Sequence, residues 1–201
     1  MDTITIKQSI QNWISIRENA SSINKRFEQG NCFSFEVPDY MSTSDDVHVY
    51  PGVNEGVLLF FVIPAQYDNA AYEDDISTYT TVCTVGFSVG GGNDHEITSA
   101  EAHARILAWE DYHETWVVNQ IATVDGMFEA FSVAGQDFEC KEVVMTLGLK
   151  NGEGKQLIAD LIVTNDKSDV IVYDDFVRSV PPFDSATAMA QQNFYLLPPP
   201  Q

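Results

Sequence analysis

The chain has 201 residues, 44% of them hydrophobic and 11% aromatic, so it can bury a core without a metal or disulfide staple and is not globally disordered. Asp and Glu number 30 against 10 Lys and Arg, giving a net charge of −20 and a pI near 4.2. That balance argues against binding a nucleic-acid backbone, which needs a basic surface to displace counterions, and against docking on anionic lipid.

The opening stretch, Met1–Ser9, carries an early acid and no apolar run of signal-peptide length, which points to a cytoplasmic protein. Thr5-Ile6-Lys7-Gln8 fits a capping box, and Ile6, Ile10, Trp13, Ile14, Arg17, Ala20, Ile23 and Phe27 follow at helical spacing up to Gly30. Ser21-Ser22 weakens the middle of this helix, where an early end or a kink is expected. Strands are predicted over 32–37, 47–50, 57–63 and 77–89. The run Val57–Ile63 is the longest apolar stretch and closes at Pro64, far short of the roughly 20 residues a membrane helix needs.

Gly90-Gly91-Gly92-Asn93-Asp94 reads as a linker. A second capping box, Thr98-Ser99-Ala100-Glu101, opens a helix carrying Ala102, Ile106, Trp109, His113, Trp116, Val117 and Ile121 up to Gly126. Both helices are expected to stop at a glycine in the left-handed conformation. Strands follow over 128–133, 142–149, 156–164 and 170–178, with Lys150–Lys155 as a hairpin loop. Ser185–Leu197 is a candidate third short helix, and Pro198-Pro199-Pro200 an extended tail.

The chain also matches itself. Shifted by 96 positions, Ile10, Trp13 and Glu18 fall on Ile106, Trp109 and Glu114, and Gly30, Phe35 and Val37 fall on Gly126, Phe131 and Val133. At the same shift Val47 and Gly52 meet Val143 and Gly148; beyond the second turn only apolar character matches, at a shift of 100. The expected fold class is therefore α+β, a tandem duplication of a helix-plus-antiparallel-meander unit (α-β-β-β-β twice) with a short C-terminal helix or tail. Residues 1–96 form the first repeat and 97–201 the second, packed as one body.

Candidate chemistry is sparse. Cys32, Cys83 and Cys140 are odd in number and widely spaced, which suits reduced buried thiols rather than a disulfide framework or zinc site. Of His48, His95, His103 and His113, the last completes a Glu-x-x-His with Glu110, and Glu114 extends the stripe. Carboxylate-bridged metal sites use that spacing in two copies, and only one is present here. The expectation is no metal and no cofactor, with Glu110, His113 and Glu114 the metal candidates if there is one. The glycine run lacks the lysine of a phosphate loop, and no dinucleotide fingerprint or nucleophile elbow occurs. Asp45-Asp46, Asp74-Asp75, Asp174-Asp175 and Asp166/Asp169 read as solubilising turns rather than a carboxylate pair or calcium loop. Two function classes remain: a non-enzymatic binding protein for a basic protein partner, or a metal-dependent enzyme built on Glu110 and His113. Adaptation to a salty cytoplasm is a third cause of the charge and needs no partner.

Overall fold

The computed structural model describes residues 1–87, 97–152, 156–168, 170–175, 177–181 and 194–198. Among the described residues the fold is mixed α+β, with four α-helices and two antiparallel sheets. Helix α1 (Thr3–Ile16) is capped by Asp2, whose carboxylate accepts from the Thr5 amide at 2.8 Å, so the capping box expected at Thr5 is not the start. The expected single helix to Phe27 breaks at Arg17–Glu18. Asn19 caps a second helix, α2 (Ala20–Phe27), by accepting from Ser22 N at 2.9 Å. Ser21 and Ser22 thus sit in the first turn of a new helix, where the side chains that compete for backbone bonds do least harm.

Strands β1 (Cys32–Glu36), β2 (Val47–Asn54) and β3 (Val57–Pro64) lie close to their predicted places. Pro51 is tolerated inside β2 because β5 pairs only with Val47–Val49, leaving no partner strand to miss its amide on that side. The strand predicted over 77–89 is largely replaced. Ala70–Asp75 is 3₁₀, α3 (Ile76–Tyr79) is one helical turn, and β4 is only Thr81–Thr84. Helix α4 (Ser99–Ile121) starts as the sequence indicates, with Thr98 Oγ1 accepting from Glu101 N at 3.1 Å. Neither long helix stops at its glycine: α2 ends at Phe27 and α4 at Ile121, short of Gly30 and Gly126.

Strands β5 (Ala130–Val133), β6 (Glu142–Asn151) and β7 (Leu157–Asp166) follow. The strand predicted over 170–178 is two strands in two sheets: β8 (Ile171–Asp174) pairs with β7, and β9 (Val177–Val180) pairs with β5. The linker read at Gly90–Asp94, residues 153–155 of the expected hairpin loop, residues 185–193 of the candidate helix Ser185–Leu197 and the tail beyond Pro198 lie outside the described residues, and residues 195–197 form a turn rather than a helix.

The sheet orders are β1-β6-β7-β8 and β4-β3-β2-β5-β9. The first sheet therefore takes β1 from the far half of the chain and the second takes β5 and β9: Phe33 faces Met145, and Val49 faces Phe131. The sheets meet through one large core, where Phe33 stacks on Phe60 with ring centres 4.4 Å apart. Helix α1 covers the outer face of the second sheet and α4 that of the first. Both helices come down on a glycine. A Cβ on Gly52 would lie 3.1 Å from the Ser9 backbone and 2.5 Å from the Phe61 ring; one on Gly148 would lie 3.3 Å from Arg105 Cβ. Trp13 and Trp109 are both buried, and both pack on Phe27. Trp13 also donates to the Phe128 carbonyl at 2.9 Å.

Because each sheet is completed by the other half, residues 1–96 and 97–201 produced as separate chains should each fail to unfold cooperatively. Mixing them should restore near-ultraviolet circular dichroism. A cooperative transition from either fragment alone would show that the exchanged strands are dispensable.

Candidate functional site

The residues nominated by sequence lie on α4 but do not converge. His113 is half-buried; its Nδ1 donates to the Trp109 carbonyl at 2.9 Å, and its ring stacks on Trp109 with planes 10° apart. Glu110 is exposed and accepts from Asn31 Nδ2 at 3.3 Å, while Glu114 points to solvent. Among the described residues, no group of three or more His, Cys, Asp or Glu could hold a metal ion. His103 is engaged with the Ser99 carbonyl at 2.6 Å, and His95 lies outside the described residues. Cys32 and Cys83 are buried free thiols, and Cys140 is a half-buried one. Burial pushes the Cys83 thiol up to about 12, so it is not a thiolate nucleophile at neutral pH.

A polar cluster that no sequence motif marks sits under the C-terminal segment. His48 and Tyr50 are alternate residues of β2 and share the face under α1. Both converge on Asp68, which the short 3₁₀ turn Ala65–Tyr67 delivers beneath them. His48 Nδ1 donates to Asp68 Oδ2 at 2.6 Å, and the Tyr50 hydroxyl donates to the same oxygen. Among the described residues, Oδ1 of this buried carboxylate has no hydrogen-bond partner. Phe194 covers the group, stacking on His48 with ring centres 4.1 Å apart. Burial and then the Asp68 charge push the Tyr50 hydroxyl well above the ordinary tyrosine range. Ser132 is the cross-strand neighbour of His48, and Arg178 that of Ser132. The row resembles a nucleophile beside an Asp–His pair, but Ser132 gives its proton to Asp46 at 3.1 Å rather than to His48. The bond from Nδ1 to Asp68 fixes the orientation of the imidazole.

A second unmarked network joins α4 to the first sheet. Arg105 Nη1 lies 2.8 Å from Asp160 and 2.5 Å from Asp175, and Nη2 meets Glu101. Asp160, with a fully buried side chain, also forms an ion pair with Lys150 at 2.8 Å. The alternation of β7 turns Asp160 toward α4, a placement that needs the register to be known.

At the surface, two features stand out. A cleft of about 290 Å³ runs between α4 and the start of β7, lined by Tyr112, Trp116, Gln120, Gln156 and Leu157. Elsewhere, Tyr67 and Tyr79 stack with ring centres 3.8 Å apart, and Tyr40 and Tyr72 stand nearly perpendicular to both. Close by, Lys7 Nζ lies 4.7 Å from the Tyr195 ring centre while donating to Glu73 at 2.8 Å. Compared with known protein families, curated proteins and solved structures, the chain matches none.

The sign of the Tyr50 shift makes a pH prediction. The hydroxyl stays protonated in the fold to higher pH than in the unfolded chain, so its stabilising share is complete below about pH 10 and falls as pH rises above it. Wild-type unfolding free energy should therefore drop above about pH 10, and Tyr50→Phe should flatten that drop. Equal slopes in the two proteins would mean that Tyr50 is not held protonated by the fold.

Proposed function

We propose that the protein is a non-enzymatic cytoplasmic binding protein whose partner is a basic protein, not a nucleic acid or a membrane. The observation that carries this reading is how the few cations are used. Among the described residues, Lys7, Arg17, Arg105, Lys141, Lys150 and Lys167 each sit within ion-pairing distance of an acid of the same chain. The acid excess is left outward-facing: Asp74, Asp75, Glu110, Asp111 and Glu114 are exposed. An outward field of one sign accelerates encounter with an oppositely charged partner and makes the association salt-sensitive. Among the described residues, no helix is long and apolar enough to cross a membrane, which agrees with a partner met in solution.

We also propose that the two halves arose by duplication of one helix-plus-meander unit. Support comes from matched contacts. Ser9 and Arg105 are 96 positions apart, as are Gly52 and Gly148, and Ser9 meets Gly52 as Arg105 meets Gly148. Trp13 and Trp109, related by the same shift, both bury against Phe27. The exchange is reciprocal as well, β1 pairing with the hairpin β6–β7 and β5 with the hairpin β2–β3.

The duplication predicts matched sensitivity at its contact points. Gly52→Ala and Gly148→Ala should each cost about 1–3 kcal/mol by overpacking, with the tighter Gly52 the more costly. Neutral behaviour at either position in denaturant melts would remove the equivalence. For the partner, immobilised protein should retain basic proteins from lysate at low salt and release them toward about 0.5 M, where the screening length falls to about 4 Å. Recovery of acidic partners, or retention that salt does not weaken, would overturn the reading.

A further inference from the structure

No Lys or Arg occurs between Arg26 and Arg105. Within that stretch the fold brings two acidic segments, residues 38–46 and 66–79, together through four tyrosines. Tyr67 and Tyr79 stack with planes 2° apart. Tyr40 lies 5.6 and 5.3 Å from their centres, and Tyr72 5.1 and 5.7 Å, each ring within 8° of perpendicular to both. Rings roughly equidistant from both members of a stack stand beside it rather than over its faces. Tyr40 and Tyr72 are nevertheless 40% and 36% exposed, and Glu73, Asp74 and Asp75 next to Tyr72 are exposed too.

We propose that this tyrosine face docks an arginine-bearing segment of a basic protein. The proposal rests on the reading of a basic partner given above and assigns that partner a place and a side chain. Tyrosine rings carry negative faces that attract cations, and a planar guanidinium stacks on such a ring while its N–H groups reach a neighbouring carboxylate. The rings are already held by one another, so little side-chain freedom is lost when a partner arrives. The chain uses the same two-part cradle on itself. Lys7 sits over the Tyr195 ring with its ammonium on Glu73, the residue that follows Tyr72. That internal pair occupies Glu73 and leaves Asp74 and Asp75 as the outward carboxylates of the segment. Asp39, beside Tyr40, is met by Lys141 at 2.5 Å, so the cation-accepting end of the patch is the Tyr72 end.

The test uses an arginine–glycine repeat peptide as the probe, with a lysine–glycine peptide of equal length and charge as its counterpart. Affinities are measured by calorimetry for the full chain and three variants: Tyr40→Ala/Tyr72→Ala, Tyr40→Phe/Tyr72→Phe, and Tyr112→Ala on α4 as a remote control. Thermal melts establish that each variant folds. The wild type should bind the arginine peptide more tightly than the lysine peptide. The alanine pair should weaken arginine binding about tenfold, while the phenylalanine pair, which keeps the ring faces, and Tyr112→Ala change it little. An alanine pair that binds as the wild type does would overturn this site while the basic-partner reading stands. No binding of either peptide, together with no basic protein retained from lysate, would overturn both.

Discussion

The structure depends on one pairing, that of β1 with β6. Residues 32–36 hydrogen-bond to residues 142–146, more than a hundred positions away, before the first sheet has an edge on that side. The alternation of β1 turns Phe33 and Phe35 into the space between the sheets and Ser34 and Glu36 out. Phe33 then meets Phe60 of the opposite sheet, and Phe35 meets Phe138. The β5–β2 pairing does the reciprocal work, placing Phe131 and Val133 in the same core. With both sheets closed by borrowed strands, the halves cannot separate without losing a ladder each. Contacts of this sequence separation also carry a large loop-closure cost, which places the protein among slowly folding topologies.

That architecture has to hold against a net charge of −20, and the cations are placed where elements meet. Lys7 ties α1 to the 3₁₀ stretch that carries Glu73, Arg17 ties the end of α1 to Glu129, and Lys141, the residue before β6, meets Asp39 in the loop after β1. Exposed pairs such as Lys141–Asp39 are screened by solvent and add little. The Arg105–Asp160–Lys150 group is different because Asp160 is fully buried. Removing both Arg105 and Lys150 would leave its carboxylate buried without a cation, and breaking a buried pair typically costs about 3–5 kcal/mol. Burial by itself would lower the Arg105 affinity for its proton, yet the carboxylates of Asp175, Glu101 and Asp160 outweigh it and raise that affinity. With these cations held at junctions, acids such as Asp74, Asp75, Asp111 and Glu114 remain exposed.

Much of the core was legible because its signals are local. The period of α4, its Thr98 cap, the apolar run of β3 and the alternation of β1 each follow from residues within a few positions of one another. What failed depended on distant groups. Residues 77–79 have the side chains of a strand, but Ile76 is needed under α1, and a helical turn delivers it there. The stretch 170–178 reads as one strand because nothing nearby reveals that Val177–Val180 finds its partner in β5 and not in β7. The polar sites were hidden for the same reason. Glu110 and His113 stood out by helical spacing, whereas Asp68, His48 and Tyr50 are brought together by a turn that no motif announces. The four tyrosines are scattered over forty positions and form a face only once two segments pack.

The buried Asp68 cluster links these levels. Leaving a carboxylate inside is costly unless donors meet it, and Asp68 receives His48 and Tyr50 on one oxygen. Such a cluster persists only if something keeps water from competing, and Phe194 does this by lying flat on the imidazole. The Leu196 backbone bonds to the Tyr50 hydroxyl, and Leu196 and Leu197 enter the same apolar core as Ile6 and Ile10 of α1. Between these anchors, Tyr195 turns outward and receives Lys7 over its ring and Glu73 at its hydroxyl. Four successive residues therefore seal a buried acid on one side and build a cation cradle on the other.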